Sequence, residues 1–192
     1  LSRQLQEWEK RVPAEEFFSS RDEILAVLAA LPFPVYVTTN YDNLLTRALR
    51  HCRKDPKREL CRWNRYVKDE PSVFDPTSGF EPSIANPVVF HLHGHDEVPE
   101  SLVLSEDDYL DFLVNASRQQ DLIPPRIKRA LTGSSLLFVG YRLADWDFRV
   151  VFKGLVESME GSLRRMNVSG QLPPQCDDED SRVEQQSYLA RY

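Results

Sequence analysis

The chain has 192 residues, of which 41% are hydrophobic and 28% charged, and its net charge is −6. This composition is typical of a globular protein with one main core, and the acidic balance argues against a dedicated nucleic-acid binder. No apolar run is long enough to span a membrane, and Cys52, Cys61 and Cys176 form no disulfide framework. We therefore expect a cytoplasmic protein whose direct partners include neither a membrane nor nucleic acid.

The first fifty residues alternate between helical and strand patterns. Leu1–Arg11 has the periodicity of an amphipathic helix, and Glu15–Ala30 that of a second helix ending before Pro32. The apolar run that follows predicts a buried strand over Val35–Thr38. Asp42 is then predicted as the N-cap of another helix, because apolar residues recur behind it at helical spacing.

The next segment, His51–Asn86, is polar and contains four prolines. It predicts an excursion from the main fold with one or two short edge strands around Arg62–Tyr66. A basic stretch begins just before it and runs through it. We interpret that stretch as a solvated helix face and loop, with a phosphate-attracting rim as the alternative. Its residues are Arg47, Arg50, Arg53, Lys54, Lys57, Arg58, Arg62, Arg65 and Lys68.

A second buried strand is predicted over Val88–His91, and a further short strand over Leu102–Leu104. Ser105 and Asp108 have the spacing of a capping box, which opens a helix through Leu113. Asp121–Leu131 predicts another helix with two prolines in its first turn.

A third buried strand is predicted over Leu136–Val139, followed by a helix over Asp147–Leu163. We expect residues 1–168 to form the domain. Residues 169–192 are expected to be an acidic linker or the start of a further helix, with a solvated charge run at Asp177–Asp180.

The three apolar runs share one property: polar side chains follow each of them directly. In open α/β sheets, ligands bind at the carboxyl ends of parallel strands. We therefore predict a three-layer, Rossmann-like α/β fold in which a parallel central sheet brings these side chains to one crevice.

Two polar residues follow the first strand, and each has two interpretations. Asn40 and Asp42 are common residue types in turns and caps, so both are explained by local structure alone. The functional interpretation is that the Asn40 amide points into the crevice and holds a hydroxyl or a water.

The histidines of the second strand also allow more than one interpretation. His91, His93 and His95 alternate, as metal ligands on one strand face would. Gly94 indicates that the strand has ended, which would let the rings diverge. A histidine beside a glycine at a sheet edge suits a general base, and a buried, hydrogen-bonded histidine is the structural alternative.

Taken together, three segments resemble the motifs of the sirtuin-like family. Thr38–Asp42 matches the family's T-x-N-x-D, and His93-Gly94 matches its catalytic H-G. Gly140–Asp145 resembles the G-Y-S-L-x-D segment of a divergent bacterial branch, found in anti-phage defence proteins, as does Pro99–Tyr109. The resemblance spans about residues 15–165.

This resemblance implies an NAD-binding domain that breaks the nicotinamide–ribose bond of NAD, its substrate. Asn40 would hold the attacking water or a ribose hydroxyl, and His93 would be the general base. Asp42 would orient the nicotinamide side or the loop that carries Asn40. The other positions implied for NAD binding are Thr38, Thr39, Gly94, Gly140 and Tyr141, of which the last two would line the adenosine side.

The chain departs from the family pattern in two respects. Deacetylases place two C-x-x-C pairs after the H-G motif, whereas only Cys176 follows it here, so we expect neither zinc nor a zinc module. The family's first strand ends in a Gly-Ala-Gly loop that holds phosphates at a helix start, and no such loop precedes Asn40. The domain is therefore expected to be incomplete at its N-terminus.

These features leave three functions open. The first is an NAD hydrolase that acts as an NAD-depleting defence effector within a larger, homo-oligomeric protein with fused or associated sensor domains. The second is a non-catalytic nucleotide-sensing or scaffold module that has lost the phosphate loop. The third is an NAD-dependent protein deacylase, against which the missing cysteine pairs count.

Overall fold

The computed structural model describes Phe18, residues 23–118 and 122–140, and the backbone of residues 168–170. The chain divides into two compact units, residues 1–130 and residues 131–192. The helices predicted over Leu1–Arg11 and Asp147–Leu163, and the acidic tail beyond residue 170, lie outside the described residues.

The first unit begins its described part with helix α1 (Ile24–Ala30). Glu23 is the N-cap residue in an extended conformation, and its carboxylate accepts a hydrogen bond from the backbone N–H of Leu25. The prediction of one helix through Glu15–Ala30 is therefore wrong at Glu23, where a new helix starts. Its predicted end is confirmed, because Leu31 is extended before Pro32.

Three parallel strands form the sheet of this unit. They are β1 (Val35–Thr38), β2 (Lys57–Leu60) and β3 (Val88–His91), in the spatial order β1-β3-β2. Helix α2 (Leu44–His51) lies between β1 and β2 in the chain. The Rossmann-like α/β fold with a parallel sheet is confirmed, as are the buried strands predicted over Val35–Thr38 and Val88–His91.

Strand β2 was predicted at the wrong place, around Arg62–Tyr66. Its residues, Lys57 to Leu60, show no apolar alternation. The strand forms by parallel pairing with β3, and its buried Glu59 is satisfied by partners from later in the chain: Arg62, the hydroxyl of Ser72 and the backbone N–H of Val73. Such long-range satisfaction of a carboxylate leaves no local sequence signal.

The core surrounds β3, whose four residues are all buried. On one face, Tyr36 and Val89 pack with residues of α1 and α2. Successive side chains of a strand point to opposite faces, so Val88 and Phe90 are buried on the other face. Strand β3 is thus covered on both sides, as expected for a parallel sheet.

A 3₁₀ turn (Pro99–Ser101) and helix α3 (Glu106–Arg118) follow β3. The predicted capping box is confirmed: Ser105 Oγ accepts from the Asp108 N–H at 3.1 Å, and Asp108 Oδ2 accepts from the Ser105 N–H at 2.9 Å. The helix continues five residues beyond its predicted end at Leu113. Leu102–Leu104, predicted as a strand, is irregular.

Helix α4 (Pro125–Gly133) begins with a proline, which favours a helix start because the first turn has no partner for its N–H groups. It starts and ends later than the predicted Asp121–Leu131.

In the second unit, β4 (Leu137–Val139) pairs in parallel with β5 (Val168–Gly170). The third predicted strand therefore exists, but it belongs to a two-stranded sheet separate from β1-β3-β2. Within the residues placed by the structure, no helix is both long and apolar enough to cross a membrane.

Candidate active site

The loops that follow β1 and β3 are joined by backbone and side-chain hydrogen bonds. The Leu92 N–H donates to the Thr38 carbonyl at 2.9 Å, and the Asp96 N–H donates to the Tyr41 carbonyl at 2.9 Å. The Tyr41 hydroxyl donates to the carbonyl of Val103 at 2.5 Å. Because the two strands are neighbours, these bonds hold the two motif-bearing loops side by side at one end of the sheet.

Asn40 has a fixed backbone and an exposed position. Its N–H donates to Thr38 Oγ1 at 3.0 Å, and its carbonyl oxygen lies 3.1 Å from Nδ1 of His91. A carbonyl oxygen only accepts, so Nδ1 of His91 carries the proton. The arrangement leaves the Asn40 side chain at the surface of a rigid loop, where an amide can hold a water or hydroxyl.

Asp42 was predicted as the N-cap of α2, but it lies one residue before the N-cap position. The N-cap residue is Asn43, whose side chain makes no capping bond, while Asp42 Oδ1 accepts from the Leu44 N–H at 3.0 Å. Partial burial raises the pKa of the Asp42 carboxyl, and the Leu44 hydrogen bond opposes that rise. The Asp42 carboxylate therefore accepts a hydrogen bond from a backbone N–H at the start of the helix. A role of Asp42 in binding NAD stays a prediction.

His91 is buried, with 1% of its surface exposed, and His93 is half-buried. The prediction that His91 is the more buried of the two is confirmed. Burial, followed by the neighbouring His95, lowers the pKa of His91 to about 3. His91 is therefore neutral near pH 7, and it serves as a hydrogen-bond donor to the loop of Asn40.

The His93 ring packs against helix α3. Its centroid is 5.2 Å from that of Phe112 and 5.9 Å from that of Tyr109, with the ring planes nearly perpendicular in both contacts. Its carbonyl accepts a hydrogen bond from the Val103 N–H at 3.0 Å. A hydrogen bond to Asn40 comes from His91, and the convergence of the Asn40 and His93 side chains stays a prediction.

The third histidine, His95, is held by contacts at its Nδ1 atom. Its Nδ1 lies 3.1 Å from the Glu97 N–H and 3.2 Å from Nη1 of Arg58, so this nitrogen is the acceptor. Burial, and then the charge of Arg58, lower the pKa of His95 to about 4. The ring is therefore neutral near pH 7, and its approach to Asp96, at 3.1 Å, is not a salt bridge.

The three histidine rings do not share one face, as a metal site on a strand would require. The rings of His91 and His95 contact each other at 4.7 Å, whereas His93 turns towards α3. The prediction that the three histidine rings diverge is therefore correct for His93 only. Among the described side chains, no group of three His, Cys, Asp or Glu residues could hold a metal ion.

Gly94 is required by the backbone at this point. Its φ is +92°, and a Cβ placed there would lie 2.2 Å from the carbonyl oxygen of Ser101. Only glycine combines that conformation with so close an approach. The glycine of the H-G motif therefore lets the segment after His93 fold back on itself.

The predicted adenosine-side residues belong to the second unit. Gly140 has φ +79° and is exposed, with no atom within 4 Å of an added Cβ. Tyr141 lies outside the described residues. Binding of NAD by Thr38, Thr39, Gly94 and these two positions stays a prediction.

Several residues of the basic stretch have an acidic or aromatic partner, and these partners come from near and from distant parts of the chain. Arg58 pairs with Glu97, Lys57 with Asp55 at 2.8 Å, and Arg62 with Glu59. Arg65 lies over the ring of Tyr66.

Comparison with known proteins agrees with this arrangement of motifs. The family model described as a SIR2-like domain matches residues 34–192. The chain belongs to this family.

Three bacterial relatives of the SIR2-like chain bear the name NAD(+) hydrolase ThsA. The protein of Enterococcus faecium is 26% identical over 119 residues, which cover 62% of this chain and 22% of the relative. That of Cytobacillus dafuensis is 30% identical over 125 residues, 65% of this chain and 22% of the relative. That of Bacillus cereus (strain MSX-D12) is 26% identical over 139 residues, 72% of this chain and 26% of the relative. The predicted resemblance to a divergent bacterial branch is confirmed, and the aligned part is about a quarter of each relative's length.

Sequence reasoning missed the residues that surround His93. Phe112 was expected only as part of a helix, Tyr109 only as part of that helix and of the Pro99–Tyr109 resemblance, and Trp63 only as part of a polar excursion. Trp63 is 5% exposed, and its Nε1 donates to the carbonyl of Ser101 at 2.7 Å. A tryptophan within a polar, proline-rich segment was the available signal, because so large an apolar ring favours burial.

Proposed function

We propose that this SIR2-like domain cleaves NAD by hydrolysis of the nicotinamide–ribose bond. The observation that carries the proposal is the joining of the two motif loops: Asn40 and His93 lie on loops after neighbouring parallel strands, tied by the Leu92–Thr38 and Asp96–Tyr41 hydrogen bonds. The relatives named NAD(+) hydrolase support the choice of substrate and bond.

The reaction balances with a base and a positioned water. Asn40 holds the water, and His93 takes one of its protons as the oxygen forms a bond to the ribose carbon. The carbon–nitrogen bond breaks, and its electron pair leaves with nicotinamide, whose ring loses its positive charge. The products are nicotinamide, ADP-ribose and a proton, so no acylated peptide is required.

A neutral imidazole is suited to this role, because a base must be unprotonated near neutral pH. His93 is the histidine of the H-G motif. We assign the general base to His93 and the water-holding role to Asn40.

At the level of the cell, we propose a cytoplasmic NAD-depleting defence effector, in which this domain acts within a larger homo-oligomer that has sensor domains. The alternative is a nucleotide-sensing or scaffold module, which would bind NAD without releasing nicotinamide.

The test is an assay of nicotinamide release from NAD, followed by chromatography. It is run on this chain and on the longest protein that contains its sequence. His93→Ala and Asn40→Ala should each lower turnover about a hundredfold to ten-thousandfold. His51→Ala and Asn86→Ala are matched controls, because both residues are exposed and belong to neither motif loop. We expect the controls to keep full activity.

Each other outcome has a meaning. Full activity in His93→Ala would refute its assignment as the base. NAD binding without release of nicotinamide in every protein tested would favour the sensing module, and release that depends on an acylated peptide would favour a deacylase.

A further inference from the structure

The ring of His93 is bounded by two aromatic side chains of helix α3. Phe112 and Tyr109 are one helical turn apart, and both meet the imidazole with their planes nearly perpendicular to it, at 82° and 89°. Phe112 is 1% exposed, so it cannot move without disturbing the core. The tilt of the imidazole is therefore set by a rigid helix rather than by the loop that carries it.

The backbone on either side of the imidazole is also fixed. The carbonyl of His93 accepts from Val103, and Gly94 allows the backbone of Ser101 to approach closely. The hydroxyl of Ser101 accepts from the His95 N–H at 2.9 Å and donates to the Val98 carbonyl at 2.6 Å. Hydrogen bonds therefore close the turn from His93 to Ser101.

Trp63 connects these two sets of contacts. Its indole N–H donates to the carbonyl of Ser101, at the end of the turn. The centroid of its ring lies 6.4 Å from that of Phe112, and the two ring planes form an angle of 75°. A single side chain from the excursion between β2 and β3 therefore supports both the turn that follows His93 and the ring that bounds it.

We propose that Trp63 and Phe112 are positioning residues for His93, which hold its imidazole in the orientation needed to take a proton from the attacking water. This inference rests on the proposed function. Neither side chain touches the reacting atoms; they act through the ring and the backbone of His93. The energetic reason is that a displacement of about 1 Å in a reacting group can cost about a hundredfold in rate.

The competing explanation is that these aromatic rings only fill the core. Both explanations predict lower stability when the rings are removed, so stability alone does not distinguish them. They differ in the behaviour of folded protein. A positioning role lowers the turnover number and lets a change at Trp63 move the His93 ring, whereas core filling does neither.

Two substitutions separate the contacts. Phe112→Leu keeps an apolar side chain but removes the aromatic ring beside His93, and Trp63→Phe keeps a ring but removes the hydrogen bond to Ser101. Phe80→Leu is the matched control, because Phe80 contacts Phe74 rather than the histidines. Folding of each variant is checked by thermal unfolding, and measurements are made well below its midpoint.

The first measurement is nuclear magnetic resonance of the chain with labelled histidine rings. The His93 signal is identified by its loss in His93→Gln. Nearby aromatic rings shift the resonances of protons close to them, so Phe112→Leu should move the His93 ring signals towards those of free histidine. Phe80→Leu should leave them in place. The shift in Phe112→Leu reports only the loss of the neighbouring ring, so the deciding variant is Trp63→Phe, which keeps the Phe112 ring. Unmoved His93 signals in folded Trp63→Phe would overturn the proposal.

The second measurement is nicotinamide release by the longest protein that contains the sequence. We expect Phe112→Leu to lower kcat about tenfold to a hundredfold and to leave KM within about twofold, with a smaller effect in Trp63→Phe. A rise in KM with unchanged kcat would overturn the proposal. If the unsubstituted protein releases no nicotinamide, the proposed function fails, and the His93 signals alone then decide whether these residues hold the ring.

Discussion

Nδ1 of His91 lies 3.1 Å from the backbone carbonyl oxygen of Asn40, so a buried side chain of β3 holds the loop that follows β1. The two residues are 51 positions apart in the chain. Because His91 is neutral near pH 7, this is a hydrogen bond between uncharged groups, and its loss would leave the Asn40 carbonyl without its partner.

Replacement of His91 should therefore affect the Asn40 loop. His91→Leu removes the donor, and we expect it to lower the free energy of unfolding by about 1–3 kcal/mol and to reduce nicotinamide release. In His91→Asn, the side-chain amide can donate to the same carbonyl, so most activity should return. Urea unfolding and the nicotinamide assay measure the two effects. Equal activity in both variants would show that the hydrogen bond does not support the site.

Acid should destabilise the fold through His91 and His95. Their pKa values, about 3 and about 4, lie below the ordinary value of 6.5 that they regain on unfolding. The unfolded chain therefore takes up protons first, and the stabilisation present above about pH 6.5 is lost as the pH falls towards 4 and 3. At pH 5, the loss from His91 alone is about 2 kcal/mol.

This dependence is measured by urea unfolding at pH 7.5 and pH 5. His95→Asn, which has no titrating ring at that position, should lose less stability between the two pH values than the unsubstituted chain. His51→Asn, which replaces an exposed histidine, should behave like the unsubstituted chain. If all three proteins lose the same stability, the buried pair is not the origin of the acid sensitivity.

Gly94 should tolerate no side chain. In Gly94→Ala, the positive φ and the collision of Cβ with the Ser101 carbonyl act together, and we expect a loss of about 2–4 kcal/mol in the free energy of unfolding. Gly79→Ala is a matched control: Gly79 has φ +61° but open space around it. The control should lose only about 1 kcal/mol, and equal losses would mean that the close approach to Ser101 contributes nothing.

Glu59 should be among the most sensitive charged residues of the first unit. Its buried carboxylate accepts bonds from Arg62, Ser72 and Val73, so Glu59→Ala leaves the Arg62 charge without its carboxylate and two donors without an acceptor. We expect a loss of about 3–5 kcal/mol. Glu81→Ala removes an exposed ion pair with Arg126 and should cost less than about 1 kcal/mol. Thermal and urea unfolding compare the two; a similar small loss in both would contradict the role given to Glu59.

The parts of the fold that were predictable from the sequence are those with local signals. Val35–Thr38 and Val88–His91 are short apolar runs that follow prolines, and Ser105 and Asp108 have the capping-box spacing. Gly94 indicated where the second strand ends, and this correctly separated His91 from His93. In each case, neighbours in the chain determine the conformation.

The remaining features depend on residues distant in the chain. Strand β2 needs Ser72 and Val73 to satisfy Glu59, and the ring of His93 needs Trp63 and Phe112. The separate pairing of Leu137–Val139 with Val168–Gly170 is equally non-local. No periodicity records such contacts, so the motif residues of the site were identifiable while their supports were not.

The order of the sheet has a consequence for synthesis of the chain. Strand β3 is the last of the three to be made, yet it lies between the other two, and Val88 pairs with Val35 and Lys57, which are 53 and 31 residues earlier. Within the described residues, β1 and β2 have no other strand partner, so this sheet cannot form on the ribosome until residues 88–91 have emerged. Folding of the first unit should therefore be late and limited by loop closure.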